Sequence, residues 1–402
     1  MKYSFALFLA LAACDFAIPT EGCAKATVKN GVVHIEACDG GQAGVSGAGS
    51  GGAGASGAGM GGAGTSGSSG AGSGGASGSG RTTAGVGGAG SGGSAGATHE
   101  HGGLEVVLPL PAPRAGRTDK YLVSAGGRVP VVDPGGIGAF RTRCYSSFFS
   151  FDDPIVYPGQ AGLAHLHNFY GADSVNENGV LSGSGYTCRG AAVNRSAYWF
   201  PALLDASGKV LVPSTIDWYL KQGNYDISGP PTNFVVPPNG LKILAGNASA
   251  TKANPQSAQR FGWSCGTAET SDGKGTSPTI PVGCTTPAMH VHAPYCGDGR
   301  LDSPDHKAHL VFPSGGRCPS THPVLYPAIS HHVYWKNVGP GAHLSCDADA
   351  NQAGACVHAD EIFDWDDATI QSGVKNCVNA GKSCGSDLVG SNNLSMGSFG
   401  GN

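Results

Sequence analysis

Histidine is the residue whose spacing in this chain most strongly suggests chemistry. Eleven of the fourteen histidines lie beyond residue 160, and two pairs have the form His-x-His: His165 with His167, and His290 with His292. Side chains alternate between the faces of a β-strand, so each pair would direct both imidazoles to one face if its segment is a strand. Two imidazoles on one face favour a zinc or copper site. The second pair lies between two cysteines, in a predicted surface loop, so the first pair is the stronger candidate.

A second polar group lies between residues 298 and 309. His306 and His309 are three residues apart there, beside Asp298 and Asp302. Imidazoles and carboxylates can form a three-ligand metal site or serve as general acid and base. We therefore predict His165, His167, His306 and His309 as ligands of copper or zinc. The alternative is that these histidines are hydrogen-bonded polar groups of loops.

Familiar catalytic motifs are absent from the sequence. It contains no Gly-x-Ser-x-Gly elbow, no His-Glu-x-x-His zinc motif and no phosphate-binding glycine loop. Tyr198 and Trp199 have the composition of a platform on which a sugar ring could stack. Aromatic residues in β-rich proteins more often belong to the core, so both interpretations stay open.

Composition limits the partners of this chain. It has 402 residues, a net charge of −4 and only 13% charged residues, so it lacks the basic surface that nucleic-acid binding requires. No apolar run approaches the roughly 18 residues of a membrane-spanning helix. Contact with a membrane is therefore expected only through a lipid anchor.

The N-terminus has the features of an export signal. A basic residue, Lys2, precedes an apolar run, and residues 11–14 (Leu-Ala-Ala-Cys) resemble the lipobox of bacterial lipoproteins. We predict a signal peptide over residues 1–13 and lipidation of Cys14, with an ordinary secretory signal as the alternative. Thirteen cysteines less Cys14 leave an even number, which permits six disulfides in an oxidising compartment outside the cytoplasm.

Composition also divides the rest of the chain. Residues 14–40 form a small head, in which Asn30-Gly31 predicts a hairpin turn and Cys23 and Cys38 would face each other across two strands. Residues 41–98 are almost entirely glycine, alanine and serine and cannot form a packed core, which predicts a flexible tether.

Residues 104–390 are predicted to form one mainly β domain, a sandwich or barrel with long loops. Short β-rich runs are separated by glycine, proline, asparagine and serine, and ten cysteines without any Cys-x-x-Cys pair are expected to staple the loops. The β-rich runs are 122–132, 209–212, 234–236, 241–245 and 308–312. One helix is predicted over residues 366–380, because Ile370, Val374 and Cys377 repeat at helical spacing.

Several motifs together resemble a known family. They are residues 153–159 (DPIVYPG) followed by His165 and His167, residues 196–201 (SAYWFP), residues 296–309 (CGDGRLDSPDHKAH), and residues 358–360 (HAD) leading to Trp365. In this order they resemble DUF1996, a secreted domain of unknown function found in fungi and bacteria, sometimes beside carbohydrate-binding WSC modules. The resemblance covers residues 140–380. Its recurrent polar positions fall on His165, His167, Asp298, Asp302, Asp305, His306, His309 and Asp360.

This chain departs from the family pattern at three positions. Gly297 stands where the family usually has tryptophan, Asp364 where it tends to have glycine, and His332 where it often has glutamate. If that glutamate is catalytic in relatives, His332 would have to replace it or add a metal ligand here.

Three functions follow from the resemblance and the residues. The first is binding or hydrolysis of an extracellular or cell-wall polysaccharide. Asp302, Asp360 and His332 would then be catalytic, and Tyr198, Trp199 and Asp298 would contact the substrate. The second is a copper or zinc protein or oxidoreductase. The third is a cell-surface binding module without turnover.

Overall fold

The computed structural model describes residues 104–124, 126, 137–181, 185–223, 233–266, 276–384 and 394–397 with their side chains. It also gives the backbone of four strands outside these ranges, at 24–29, 32–37, 98–101 and 131–132. The predicted signal peptide, Cys14, the turn at Asn30-Gly31, Cys23 and Cys38, and residues 41–97 of the predicted tether lie outside the described residues. Contacts divide the chain into residues 1–88 and residues 89–402.

The strands are short, as the closely spaced turn residues predict. In chain order they are β1 (Ala24–Lys29), β2 (Val32–Ala37), β3 (Thr98–His101), β4 (Leu104–Val107), β5 (Leu122–Ser124), β6 (Val131–Val132), β7 (Ala139–Cys144), β8 (Ser146–Ser150), β9 (His167–Gly171), β10 (Ala197–Pro201), β11 (Leu203–Leu204), β12 (Val210–Leu211), β13 (Thr215–Lys221), β14 (Lys242–Gly246), β15 (Phe261–Cys265), β16 (Pro287–His292), β17 (Cys296–Gly297), β18 (Leu310–Val311), β19 (Val324–Leu325), β20 (Ala328–Tyr334), β21 (His343–Leu344), β22 (His358–Ile362), β23 (Lys382–Cys384) and β24 (Leu394–Met396). In the first unit, β1 and β2 pair antiparallel, with Ala24 opposite Ala37.

Two sheets of the second unit form a sandwich. One has five antiparallel strands in the order β14-β22-β10-β9-β8, and the other has seven in the order β15-β16-β20-β13-β7-β23-β6. Their inner faces share one apolar core, where the Tyr198 ring lies 5.9 Å from the ring of Trp218. The outer face of the five-stranded sheet, turned away from this core, carries a smaller cluster that includes Phe169, Trp199 and Ile362. The prediction of a mainly β fold is confirmed.

One helix, α1 (Asp367–Gly373), lies near the C-terminus and continues into a wider helical turn, Val374–Val378. The Asp366 carboxylate caps it by accepting from the backbone N–H of Thr369. Ile370, Val374 and Cys377 are buried, so the helical spacing predicted the face that packs against the core. Within the described part of the chain, no helix is long and apolar enough to cross a membrane.

Five disulfides close the loops of the sandwich, which confirms the predicted stapling. The pairs are Cys144–Cys188, Cys265–Cys284, Cys296–Cys318, Cys346–Cys356 and Cys377–Cys384. Each stabilises the fold mainly by limiting the freedom of the unfolded chain. The bridge at 346–356 directly precedes β22.

Candidate metal centre

Three histidines and one aspartate meet on the outer face of the five-stranded sheet. His165 precedes β9 and His167 begins it, while His358 begins β22 and Asp360 lies two residues further along that strand. Residues two apart share a face of a strand, so His358 and Asp360 point outward while Ala359 joins the core. Strand β10 separates β9 from β22, and the two pairs approach each other across it.

The distances between these side chains suit a single metal ion. The ring centroids are 4.2 Å apart for His165 and His167, 5.0 Å for His165 and His358, and 5.8 Å for His167 and His358. One ligand atom from each of His167, His358 and Asp360 lies within 4.8 Å of the other two. Two nitrogens bound to one tetrahedral zinc ion are about 3.3 Å apart. Small side-chain rotations would therefore bring these donors onto one ion.

Backbone carbonyls set the tautomers of two of the imidazoles. Nδ1 of His167 lies 2.8 Å from the Asp152 carbonyl oxygen, and Nδ1 of His358 lies 2.8 Å from the Cys356 carbonyl oxygen. A carbonyl only accepts, so Nδ1 is the protonated nitrogen and Nε2 carries the lone pair in both rings. Hydrogen bonds of this kind orient the histidine ligands of metal sites.

Burial controls the charge of the cluster. Burial, together with the neighbouring His167, lowers the pKa of His358 to about 4. It raises the pKa of Asp360 well above the ordinary value, and the charge of Asp153 adds to the increase while Lys307 opposes it. At neutral pH His358 is thus neutral, and burial favours the protonated form of the Asp360 carboxyl group. The imidazole is ready to bind a cation, and the carboxyl group would release a proton when it binds one.

A cavity of about 330 Å³ opens in front of the cluster. His165, His358 and Asp360 line it, together with Asp153 and with His306 and Lys307 from the loop before β18. Burial also raises the pKa of Asp153, although its carboxylate accepts from the backbone N–H groups of two following residues. The cavity therefore joins the candidate ligands to a second buried acid.

Comparison with known protein families now identifies the family of this chain. Residues 153–365, more than half of the chain, match the family described as a domain of unknown function, DUF1996. The chain belongs to this family. No curated protein and no solved structure matches the chain. The matched DUF1996 region begins at Asp153 and includes all four residues of the cluster.

Asp298 and Asp302 of the 298–309 loop are engaged in ion pairs within the DUF1996 domain. Asp298 binds Arg300, with Nη2 to Oδ2 at 2.6 Å. Asp302 binds Lys242, with Nζ to Oδ2 at 3.0 Å, and His306, with Nδ1 to Oδ1 at 2.8 Å. Partial burial raises the pKa of Asp302, but these two partners outweigh it, so its pKa is lowered. Asp302 is therefore ionised and is not among the described residues that line the cavity.

His309 lies outside the metal cluster, in a structural position of the same loop. Its Nδ1 is 3.0 Å from the Ser303 hydroxyl, and its Nε2 is 2.7 Å from the Lys242 carbonyl oxygen. Nδ1 therefore stabilises the loop internally, and Nε2 holds it against β14. The structure thus places His306 at the rim of the cavity and His309 away from it.

Tyr198 and Trp199 are fully buried, so they do not form an exposed platform for a sugar ring. Tyr198 faces the inner core and stacks on Tyr170, with ring centroids 4.7 Å apart. Trp199 faces outward but lies beneath the site, stacked on Phe169 at 5.3 Å and paired in register with Asp360. The interpretation of these aromatics as core residues is the one that the structure supports.

His332 lies in the other sheet of the DUF1996 domain. Its Nδ1 is 2.9 Å from Nδ1 of His290, and its Nε2 is 3.1 Å from the Ser330 hydroxyl. The next residue back, His331, points to the inner core, where its Nδ1 contacts the Tyr170 hydroxyl. Neighbouring residues of a strand face opposite ways, so His332 is on the outer face of the seven-stranded sheet. The structure does not bring it to Asp360.

The cavity is also lined by His358, Asp153 and Lys307, to which the sequence patterns had assigned no role. His358 and Asp360 form a His-x-Asp pair with the same period-two spacing as His165 and His167, and this pattern could have identified His358. Asp153 and Lys307 lie in loops, where alternation predicts no direction for the side chain.

Proposed function

We propose that this DUF1996 domain binds one transition-metal ion, zinc or copper, through His165, His167, His358 and Asp360. The convergence of three imidazoles and one carboxyl group in front of a cavity carries the proposal. Three nitrogens and one oxygen suit zinc and copper(II) better than calcium or magnesium, which take mostly oxygen ligands. This set replaces the ligands predicted from sequence at two positions, with His358 and Asp360 in place of His306 and His309.

We also propose that the domain acts outside the cytoplasm. Five disulfides favour an oxidising compartment, which supports export of the domain. The lipobox-like sequence at residues 11–14 supports an anchor at a bacterial membrane or cell surface, with the glycine-rich segment as tether. A domain of this kind would meet extracellular or cell-wall polysaccharides.

Hydrolysis of such a polysaccharide is the second candidate function, and one observation favours it. Asp153 and Asp360 line the same cavity, and both carboxyl groups have a raised pKa because they are buried. Glycosidases commonly use two carboxyl groups, one of which stays protonated to donate to the leaving group. Asp153 therefore takes the place that the sequence had suggested for Asp302.

Elemental mass spectrometry of the purified full-length chain tests the metal site. We expect about one zinc or copper per chain, and less than a tenth of that in the His165→Ala/His167→Ala double variant. His322→Ala is the matched control, because His322 is a partly exposed histidine of the domain and should leave the metal content unchanged. A folded wild-type protein that binds neither metal when each is supplied would overturn the proposal. Release of reducing sugar by this metal-free protein would then support the two-carboxylate function.

A further inference from the structure

We infer that the disulfide Cys346–Cys356 is a redox-controlled part of the metal centre. When it is reduced, the Cys346 thiolate joins His165 and His358 as a sulfur ligand. The site then changes from a nitrogen and oxygen set to one that contains sulfur, which favours softer ions such as copper(I) and zinc. This inference rests on the proposed metal function and adds its regulation.

The geometry places the sulfur at the site. One ligand atom from each of His165, Cys346 and His358 lies within 4.8 Å of the other two. Sγ of Cys346 is 3.9 Å from Nδ1 of His358, and the same nitrogen is bonded to the carbonyl oxygen of Cys356. Both cysteines of the bridge therefore contact one candidate ligand. Opening the bridge changes the donors available at the site and the surroundings of His358 together.

The two sulfur atoms differ in access to a reductant. Cys346 is partly exposed, whereas Cys356 is completely buried. A thiolate of the reductant attacks Sγ of Cys346, the S–S bond breaks, and the sulfur of Cys356 leaves and takes up a proton. A second reductant thiolate then attacks the reductant sulfur of this mixed disulfide, Cys346 leaves as a thiolate and takes up a proton, and the two reductant thiols end as a disulfide. The protein bridge gains two electrons and two protons, and the Cys346 thiol releases its proton when the metal binds.

A buried carboxylate holds the loop when the bridge is open. Oδ2 of Asp347 accepts from the backbone N–H of Leu344 at 2.9 Å and from that of Gly354 at 2.7 Å, and Oδ1 accepts from that of Cys356 at 3.4 Å. These bonds join the two ends of the loop independently of the disulfide. Reduction therefore frees the sulfur without releasing it from the neighbourhood of the histidines.

Two matched variants of the full-length chain separate the sulfur from the disulfide itself. Cys356→Ser leaves the Cys346 thiol, Cys346→Ser leaves the Cys356 thiol, and both lack the same bridge. With cobalt(II) as the probe, we expect the near-ultraviolet sulfur-to-cobalt charge-transfer band in Cys356→Ser. The oxidised wild type and Cys346→Ser should bind cobalt without that band.

The outcomes distinguish the inference from the proposed function. If Cys356→Ser binds cobalt without the band, the inference is wrong and the metal centre stands. If the oxidised wild type binds no cobalt, the metal function itself fails.

A measurement on the unmodified chain covers the case in which the variants do not fold. In a glutathione redox buffer, zinc should increase the reduced fraction of the 346–356 pair at least severalfold, because ligand binding and reduction are reciprocally coupled. Alkylation and mass spectrometry report that fraction, with Cys296–Cys318 as the internal control. A reduced fraction that zinc leaves unchanged would contradict the inference.

Discussion

Zinc is expected to stabilise the wild-type chain strongly and to leave His358→Ala unaffected. At a free zinc concentration one hundred times the dissociation constant, binding to the folded state alone adds about 2.7 kcal/mol to the free energy of unfolding. His358 is close to each of the other three ligands. Its ring centroid lies 5.0 Å from that of His165, and one of its ligand atoms lies within 4.8 Å of ligand atoms of His167 and Asp360. Removing it leaves the other donors without their common neighbour.

Calorimetric unfolding with and without zinc measures this effect. The zinc-dependent rise in melting temperature should disappear in His358→Ala and persist in His322→Ala. Zinc binding favours the ionised form of Asp360, whose pKa is raised by burial, so zinc affinity should increase with pH, by up to tenfold per unit. An equal rise in melting temperature for wild type and His358→Ala would place the zinc elsewhere on the chain.

Acidification is expected to destabilise the wild-type domain through His331. This histidine is completely buried between the sheets, and burial lowers its pKa to about 3. The folded state therefore keeps His331 neutral, whereas the unfolded chain takes up a proton below pH 6.5. Stability due to this group is complete above pH 6.5 and falls with decreasing pH by up to about 1.4 kcal/mol per unit until pH 3.

His331→Asn removes this part of the pH dependence. The asparagine side chain ends near the position of Nδ1, the atom that contacts the Tyr170 hydroxyl, so that buried hydroxyl keeps a polar neighbour. We expect the variant to be less stable than wild type at pH 7, through lost packing, and to lose less stability between pH 6.5 and pH 4. Urea unfolding at several pH values measures how the free energy of unfolding changes with pH in wild type and in His331→Asn, with His322→Asn as the control. The same dependence of the unfolding free energy on pH in wild type and His331→Asn would refute the role assigned to His331.

Short-range sequence patterns were enough to predict the helix and the disulfide-stapled loops. The repeat of Ile370, Val374 and Cys377 located the buried face of α1 and of the helical turn that follows it, and the ten cysteines correctly indicated stapled loops. Period-two spacing placed His165 and His167 close together. The helix prediction depends on a period that a helix imposes on its own residues, whereas the cysteine prediction depends on composition.

Features that depend on strand pairing could not be predicted in the same way. His358 joins His167 only because β10 lies between their strands, and no spacing along the chain encodes that order. His309 resembled a ligand, but its Nδ1 contacts the Ser303 hydroxyl of its own loop and its Nε2 contacts the backbone of Lys242. Residues 234–236 have strand-forming side chains, yet they form no strand. The backbone of Val235 instead donates a single hydrogen bond to the Leu325 carbonyl, and Asn379 holds Phe234.

X-ray absorption spectroscopy of the zinc-loaded, oxidised, full-length chain tests the metal centre most directly. We predict three imidazole nitrogens at about 2.0–2.1 Å, one oxygen at a similar distance and no sulfur in the first shell. The Asp360→Asn variant should keep the imidazole scattering and lose affinity. A first shell without imidazole scattering, or a sulfur ligand in the oxidised protein, would contradict the assignment of His165, His167, His358 and Asp360.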